Sequence, residues 1–207
     1  MILGLGHATG DLVLFQDADL ELDPRLEYTR ILEPILAGRA TVVFGARDTW
    51  RVPGSRLTTR LANWFLNRLT RLLYGGAVTD LETAYKCMPA RVLRSLAPES
   101  TGFEIEPEIT AKLLLAGHRI HEVPVSYRPR TVAQGKKIGW IDGVIAVLTL
   151  LKYRLPWMWT PPSPPDGRPD RVALALVLIL AGLLVAVFGL ARARVLRSVD
   201  PPGRASG

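Results

Sequence analysis

One cysteine in 207 residues, Cys87, rules out an intramolecular disulfide, and three histidines with no zinc-type Cys/His spacing rule out a structural zinc of that kind. A reducing compartment such as the cytosol is therefore compatible with the chain. A polybasic block is missing too. Lysine and arginine outnumber the acidic residues to give a net charge of +7, but they are spread over amphipathic segments and beside one apolar stretch. That pattern argues against nucleic acid as a partner and for anionic lipid head groups or phosphorylated ligands. Internal repeats are absent as well, which excludes an array architecture.

What the chain does have is an uneven share of apolar residues. Residues 172–191 are twenty consecutive positions without a charge, about 30 Å as a helix and enough to cross a bilayer's hydrocarbon. The spacing predicts one transmembrane helix there, after a Pro-rich linker at 157–171 carrying Trp157 and Trp159 and before a disordered tail at 192–207. Two further segments pair an apolar face with cations. Residues 55–74 place Leu57, Leu61, Trp64, Phe65, Leu69, Leu72 and Leu73 against a face of Arg56, Arg60, Asn63, Asn67 and Arg71, and 139–156 form an amphipathic juxtamembrane helix ending in Lys152 and Arg154. Such helices either lie in a membrane interface or pack on a soluble domain, and the residues alone leave both open.

Ahead of these segments the pattern is α/β. Residues 12–15 are a continuous apolar run of strand formers, as expected of a strand buried on both faces, and carboxylates follow at once. In an extended segment Asp17 and Asp19 point the same way, and Glu21 joins them if that geometry continues. Hard oxygen ligands at a strand end suit Mg²⁺ or Mn²⁺ with a phosphorylated ligand. The same residues also suit an ordinary strand exit, with Asp23 capping a turn and Pro24 ending the strand. Alternation puts Asp80 and Glu82 on one side of an extended segment predicted over 79–88. A helix over 26–36, a strand over 41–46 delivering Arg47, a helix over 107–116 and a strand over 118–127 complete the prediction. Glu104, Glu106 and Glu108 either face a pocket or favour a helix N-terminus.

Three stretches carry a family resemblance: Ala-Thr-Gly-Asp at 8–11 followed by Gln-Asp-Ala-Asp and Asp-Pro; Thr-Asp-Leu-Glu-Thr-Ala-Tyr-Lys at 79–86; and Gly-Phe-Glu-Ile-Glu-Pro-Glu at 102–108. With Val-Phe-Gly-Ala-Arg at 43–47 and Glu-Val-Pro-Val-Ser-Tyr and Gly-Lys-Lys-Ile further on, the chain resembles family 2 glycosyltransferases of the GT-A fold. The branch is that of dolichol-phosphate mannosyltransferase and bacterial polyprenyl-phosphate glycosyltransferases. The resemblance implies a partial, N-terminally truncated, Rossmann-like GT-A domain at 1–138, since the family's earlier β/α units and its Pro-X-X-Asn-Glu turn have no counterpart here. It implies transfer from a nucleotide-diphosphate sugar, with Asp17, Asp19 and Glu21 on the metal, Arg47 by the phosphates, and Asp80, Glu82 and Glu104 lining the sugar and acceptor side. Arg56, Arg60, Asn63, Arg130, Lys136 and Lys137 are the substrate-binding candidates.

The acceptor implied is a polyprenyl phosphate, and the location implied is the cell membrane with the catalytic domain on the cytoplasmic side. A phosphate monoester, with a second pKa of roughly 6, needs little help from a base. A sugar hydroxyl acceptor is the alternative, and one of Asp80, Glu82 or Glu104 would then act as base. A third reading makes the chain an inactive remnant or a membrane-anchored partner protein.

Overall fold

The structure, a computed structural model, describes residues 2–18, 21–51, 57–130 and 140–155. Its elements are α1 (Ile2–His7), β1 (Leu12–Leu14), α2 (Pro24–Leu36), β2 (Val42–Arg47), α3 (Leu57–Tyr74), β3 (Lys86–Pro89), α4 (Ala90–Ser95), α5 (Ile105–Leu115), β4 (Ile120–Val125) and α6 (Trp140–Arg154). The strands form one sheet in the order β1-β3-β2-β4, with β3 antiparallel to β1 and β2, and β4 parallel to β2.

Side-chain alternation sorts the sheet into two cores. Val42, Phe44 and Met88 pack on one face against Val92 and Leu93 of α4 and Ile105, Ile109 and Leu113 of α5. Val43, Cys87 and Val125 pack on the other, with Leu22 and with Ile31 of α2. Helices thus cover both faces, as in an α/β domain. Asp23 caps α2 by accepting from the Arg25 backbone N–H at 3.0 Å, and Pro24 takes the helix's first turn, where its missing N–H costs nothing. At Gly45 a Cβ would lie 2.8 Å from Val125 Cγ1 and 3.0 Å from Tyr85 Cβ, so only glycine lets these neighbours close over β2. The third group is α3, α5 and α6, which pack together. Leu66, Thr70 and Leu73 of α3 and Ala146, Leu150 and Tyr153 of α6 are buried there, and the Tyr74 hydroxyl donates to the Leu150 carbonyl.

Three expectations change. The strand buried on both faces is β2, whereas β1 is three half-buried residues at a sheet edge. The extended segment over 79–88 shrinks to β3, because residues 79–85 turn before entering the sheet. Helix α4 was not foreseen; its Pro89 N-cap reads as a breaker in sequence. Among the described residues no helix is long and apolar enough to cross a membrane, and the span expected at 172–191 lies outside them.

Candidate active site

Strands β1, β2 and β4 run in one direction and β3 against them. Their carboxyl ends and the amino end of β3 therefore share one edge of the sheet, the edge at which α/β folds bind ligands. Asp17 follows β1 there, Arg47 ends β2, the 79–85 turn leads into β3, and residues 126–130 leave β4.

Arg47 and Asp80 meet at this edge. The guanidinium donates from Nε to Oδ2 of Asp80 at 2.6 Å and from Nη2 to Oδ1 at 2.8 Å, and the Arg47 backbone N–H adds a third bond to Oδ2 at 3.0 Å. Burial disfavours the cation, but Asp80 more than offsets it and raises the Arg47 pKa above its ordinary value. Nη2 also donates to the Glu82 carbonyl at 2.7 Å, and the guanidinium lies 5.0 Å from the centre of the Tyr127 ring. Asp80 is wholly buried. These contacts correct two expectations: Asp80 does not line a pocket, because both its oxygens are occupied below the surface, and Arg47 spends its charge on Asp80.

Next to this pair is a second one. Lys86 Nζ, fully buried, donates to the Leu81 carbonyl at 3.0 Å, to the Thr83 carbonyl at 2.6 Å and to Oε2 of Glu106. Burial raises the Glu106 pKa, Lys86 opposes this, and Asp17 adds a further upward push, which places Asp17 within electrostatic reach of Glu106. Burial likewise pushes the Glu82 carboxyl up to about 7, with Lys86 and Arg47 lowering it and Glu106 and Asp80 raising it. Oε1 of Glu82 is buried with no hydrogen-bond partner. With Arg47 matched to Asp80, the carboxyls of Glu82 and Glu106 both lean on the Lys86 ammonium, and the Asp17 charge reaches Glu106 as well, an excess of acid at this point. That imbalance is chemically suited to a divalent cation or to proton uptake.

The metal set expected from alternation is only partly in view. Asp17 is exposed at the sheet edge, and Asp19 lies outside the described residues. Glu21 is drawn elsewhere: its Oε1 accepts from the Arg130 backbone N–H at 2.8 Å and faces Nε at 3.5 Å, and its carbonyl accepts from the Arg128 N–H at 2.9 Å. The chain bends at Glu21 and Leu22, so the alternation that would align Glu21 with Asp17 does not continue. Among the described residues no three His, Cys, Asp or Glu side chains form a group able to hold a metal by themselves.

Of the remaining candidates, Glu104 is a local contact, accepting from the Gly102 N–H at 3.2 Å. The acid that reaches the site from this stretch is Glu106. Arg60 and Asn63 lie half-buried on α3, with Oδ1 of Asn63 buried and without a hydrogen-bond partner. One turn on, Asn67 accepts from the Leu81 N–H at 2.8 Å and donates to the Thr79 carbonyl. Glu122 of β4 takes the Thr79 N–H at 2.7 Å and the Asp80 N–H at 3.2 Å. Arg56, Lys136 and Lys137 lie outside the described residues. Sequence reasoning missed Lys86, Asn67 and Glu122 as site residues and offered Glu106 only alongside Glu104 and Glu108. The available signal was Lys86, a charge set between Tyr85 and Cys87 in an otherwise buried strand.

Comparisons with known proteins bear on the fold. Residues 1–95 match the family model "Glycosyl transferase family 2". An undecaprenyl-phosphate mannosyltransferase of Micrococcus luteus is 29% identical over 157 residues, covering 72% of this chain and 62% of that protein. The crystal structure of glucosyl-3-phosphoglycerate synthase from Mycobacterium tuberculosis with Mn²⁺, uridine diphosphate and glucosyl-3-phosphoglycerate superimposes with a TM-score of 0.54 at 21% identity, covering 81% of this chain and 54% of that one. The same synthase with Mg²⁺ and uridine diphosphate gives 0.53 at 22% identity, covering 81% and 53%. The chain thus spans less than two thirds of the length of these proteins and shares their α/β fold over most of its own. Over residues 1–95 it is similar to glycosyl transferase family 2.

Proposed function

We propose that this chain acts as a metal-dependent glycosyltransferase that moves a sugar from a nucleotide-diphosphate donor to a polyprenyl phosphate at a membrane surface. The observation that carries the reading is the cluster of Asp17, Glu82, Lys86 and Glu106 at the sheet's ligand-binding edge, within a chain similar to an undecaprenyl-phosphate mannosyltransferase. A divalent cation fits the excess of carboxylate there, with Asp17 and Asp19 to hold it and the donor diphosphate to complete its shell, as the limited protein donor set requires. When bound, it would neutralise the departing nucleoside diphosphate. Glu21, occupied by Arg130, is better suited to holding the 126–130 segment over the site.

Membrane placement is supported by two exposed apolar faces. Leu57, Leu61, Trp64, Phe65 and Leu72 of α3 and Ile141, Val144, Ile145 and Leu148 of α6 are all exposed, while each helix buries a different face. The flanking cations Arg68, Arg71 and Lys152 suit lipid phosphates. With a span at 172–191, the domain would lie flat on the cytoplasmic side of the cell membrane, where a lipid-bound phosphate can be met at the head-group level. Arg56, Arg60 and Asn63 at the start of α3, and Arg130, Lys136 and Lys137 after β4, would then offset the charge of two phosphorylated substrates.

A second reading has its own support. A buried Glu82 titrating at about 7 is poised as a general base for a sugar hydroxyl. The two separate on one variant. For a phosphate acceptor, Glu82→Gln costs less than the ~10²- to 10⁴-fold of a lost general base, and Arg60→Ala raises the KM for undecaprenyl phosphate while sparing nucleotide-sugar binding. A loss of general-base size in Glu82→Gln with indifference to Arg60→Ala establishes the hydroxyl reading instead.

A further inference from the structure

We propose that Lys86 is a positioning residue which, together with Arg47, fixes the peptide around Glu82 and aims that carboxyl into the site. An ammonium has three N–H bonds, and Lys86 uses all of them: the Leu81 carbonyl at 3.0 Å, the Thr83 carbonyl at 2.6 Å, and Glu106. The carbonyl between those two, that of Glu82, is taken by Arg47 Nη2 at 2.7 Å. Three consecutive carbonyls are therefore held by two cations, each with its own acid, Asp80 for Arg47 and Glu106 for Lys86. The N–H groups of the same turn are held as well, that of Leu81 by Asn67 and those of Thr79 and Asp80 by Glu122.

Within this turn two side chains carry a buried oxygen without a hydrogen-bond partner, Oε1 of Glu82 and Oγ1 of Thr83, and of the two only Glu82 is an acid. A turn whose carbonyls at 81–83 and N–H groups at 79–81 are held around an unsatisfied acid is what a preorganised contact residue requires. It is not what stability alone would select. A fully desolvated ammonium is expensive, and an apolar side chain at position 86 would extend the core of Phe44, whose ring lies 4.8 Å from Nζ. The cost is explained if the ammonium serves Glu82. The charged groups acting on Glu82 come from every neighbouring element: Lys86 on β3, Arg47 on β2, Glu106 on α5 and Asp80 on its own turn.

The proposal rests on the glycosyl-transfer reading for its catalytic consequence but not for its physical one. Titration of the full chain with ¹³C-carboxyl-labelled glutamate, with the Glu82→Gln spectrum identifying the Glu82 signal, measures the Glu82 midpoint without any substrate. In Lys86→Met the midpoint moves to higher pH, since a cation that lowers it is gone, and kcat falls by about 10²-fold with the KM for nucleotide sugar unchanged. In Glu106→Gln, which keeps the ammonium and both carbonyl bonds, the midpoint moves to lower pH, and this variant carries the test if Lys86→Met does not fold. A Glu82 midpoint that stays in place in the variants that fold, or a Lys86→Met protein that loses stability but keeps its kcat, overturns the proposal. A wild-type chain that transfers no sugar while the midpoints move as described leaves the positioning intact and removes the glycosyl-transfer reading.

Discussion

At the scale of single residues, the site is two buried ion pairs with different purposes. Arg47 and Asp80 form a closed pair, 14% and 0% exposed, and removing one partner strands the other in a dry environment. Asp80→Ala should therefore destabilise the fold by about 3–5 kcal/mol, read by denaturant unfolding. A folded, fully stable variant that is nonetheless inactive would return Asp80 to a direct role. Asp17 is exposed, so Asp17→Asn should leave the unfolding midpoint within experimental error and abolish metal-dependent transfer; activity indifferent to this change or to EDTA would reject the metal role. Glu82 supplies a pH signature. Its carboxyl titrates at about 7 in the fold, above the ordinary range, so folding favours the protonated form. The associated stability is present in full below the unfolded pKa and is lost as pH rises through the folded one. From about pH 4 to about pH 8 the thermal midpoint of wild type should fall relative to that of Glu82→Gln, and parallel curves would contradict the assignment.

At the scale of elements, what could be read in advance was whatever depends on local periodicity. The helices at α2, α3, α5 and α6 and the strands β2 and β4 follow from apolar spacing, and Gly75, with φ of 70°, ends α3 where the sequence says it should. The three candidate stretches also gather at one sheet edge. What could not be read was contact across the sheet. Alternation paired Asp80 with Glu82, but the chain turns between them, so one acid went under Arg47 and the other beside Lys86. Glu106 and Glu104 are equivalent in sequence, and only the placement of α5 against β3 selects Glu106. The exposed faces of α3 and α6 settle which of their stripes is buried. They also make a prediction: on vesicles of brominated anionic lipid, Trp64→Phe should reduce the quenched fraction of tryptophan fluorescence, because Trp64 is on the exposed apolar stripe. An unchanged fraction would place that stripe away from lipid.

At the scale of the whole molecule, a segment similar to glycosyl transferase family 2 is proposed to work at a membrane surface. Sheet direction collects the acids, α3 and α6 each expose apolar residues, and the sequence carries a charge-free stretch at 172–191 that the proposal reads as an anchor. The proposed acceptor, a membrane lipid with an anionic head, would join these features at one surface. The direct measurement is transfer by the full-length chain, in anionic liposomes containing undecaprenyl phosphate, of a radiolabelled sugar from its nucleotide-diphosphate donor with Mn²⁺ or Mg²⁺ present. The account predicts label in the organic phase, lost with EDTA and with Asp17→Asn and released again by mild acid. Label that appears only on water-soluble hydroxyl acceptors, or organic-phase label that persists without a divalent cation, would contradict it.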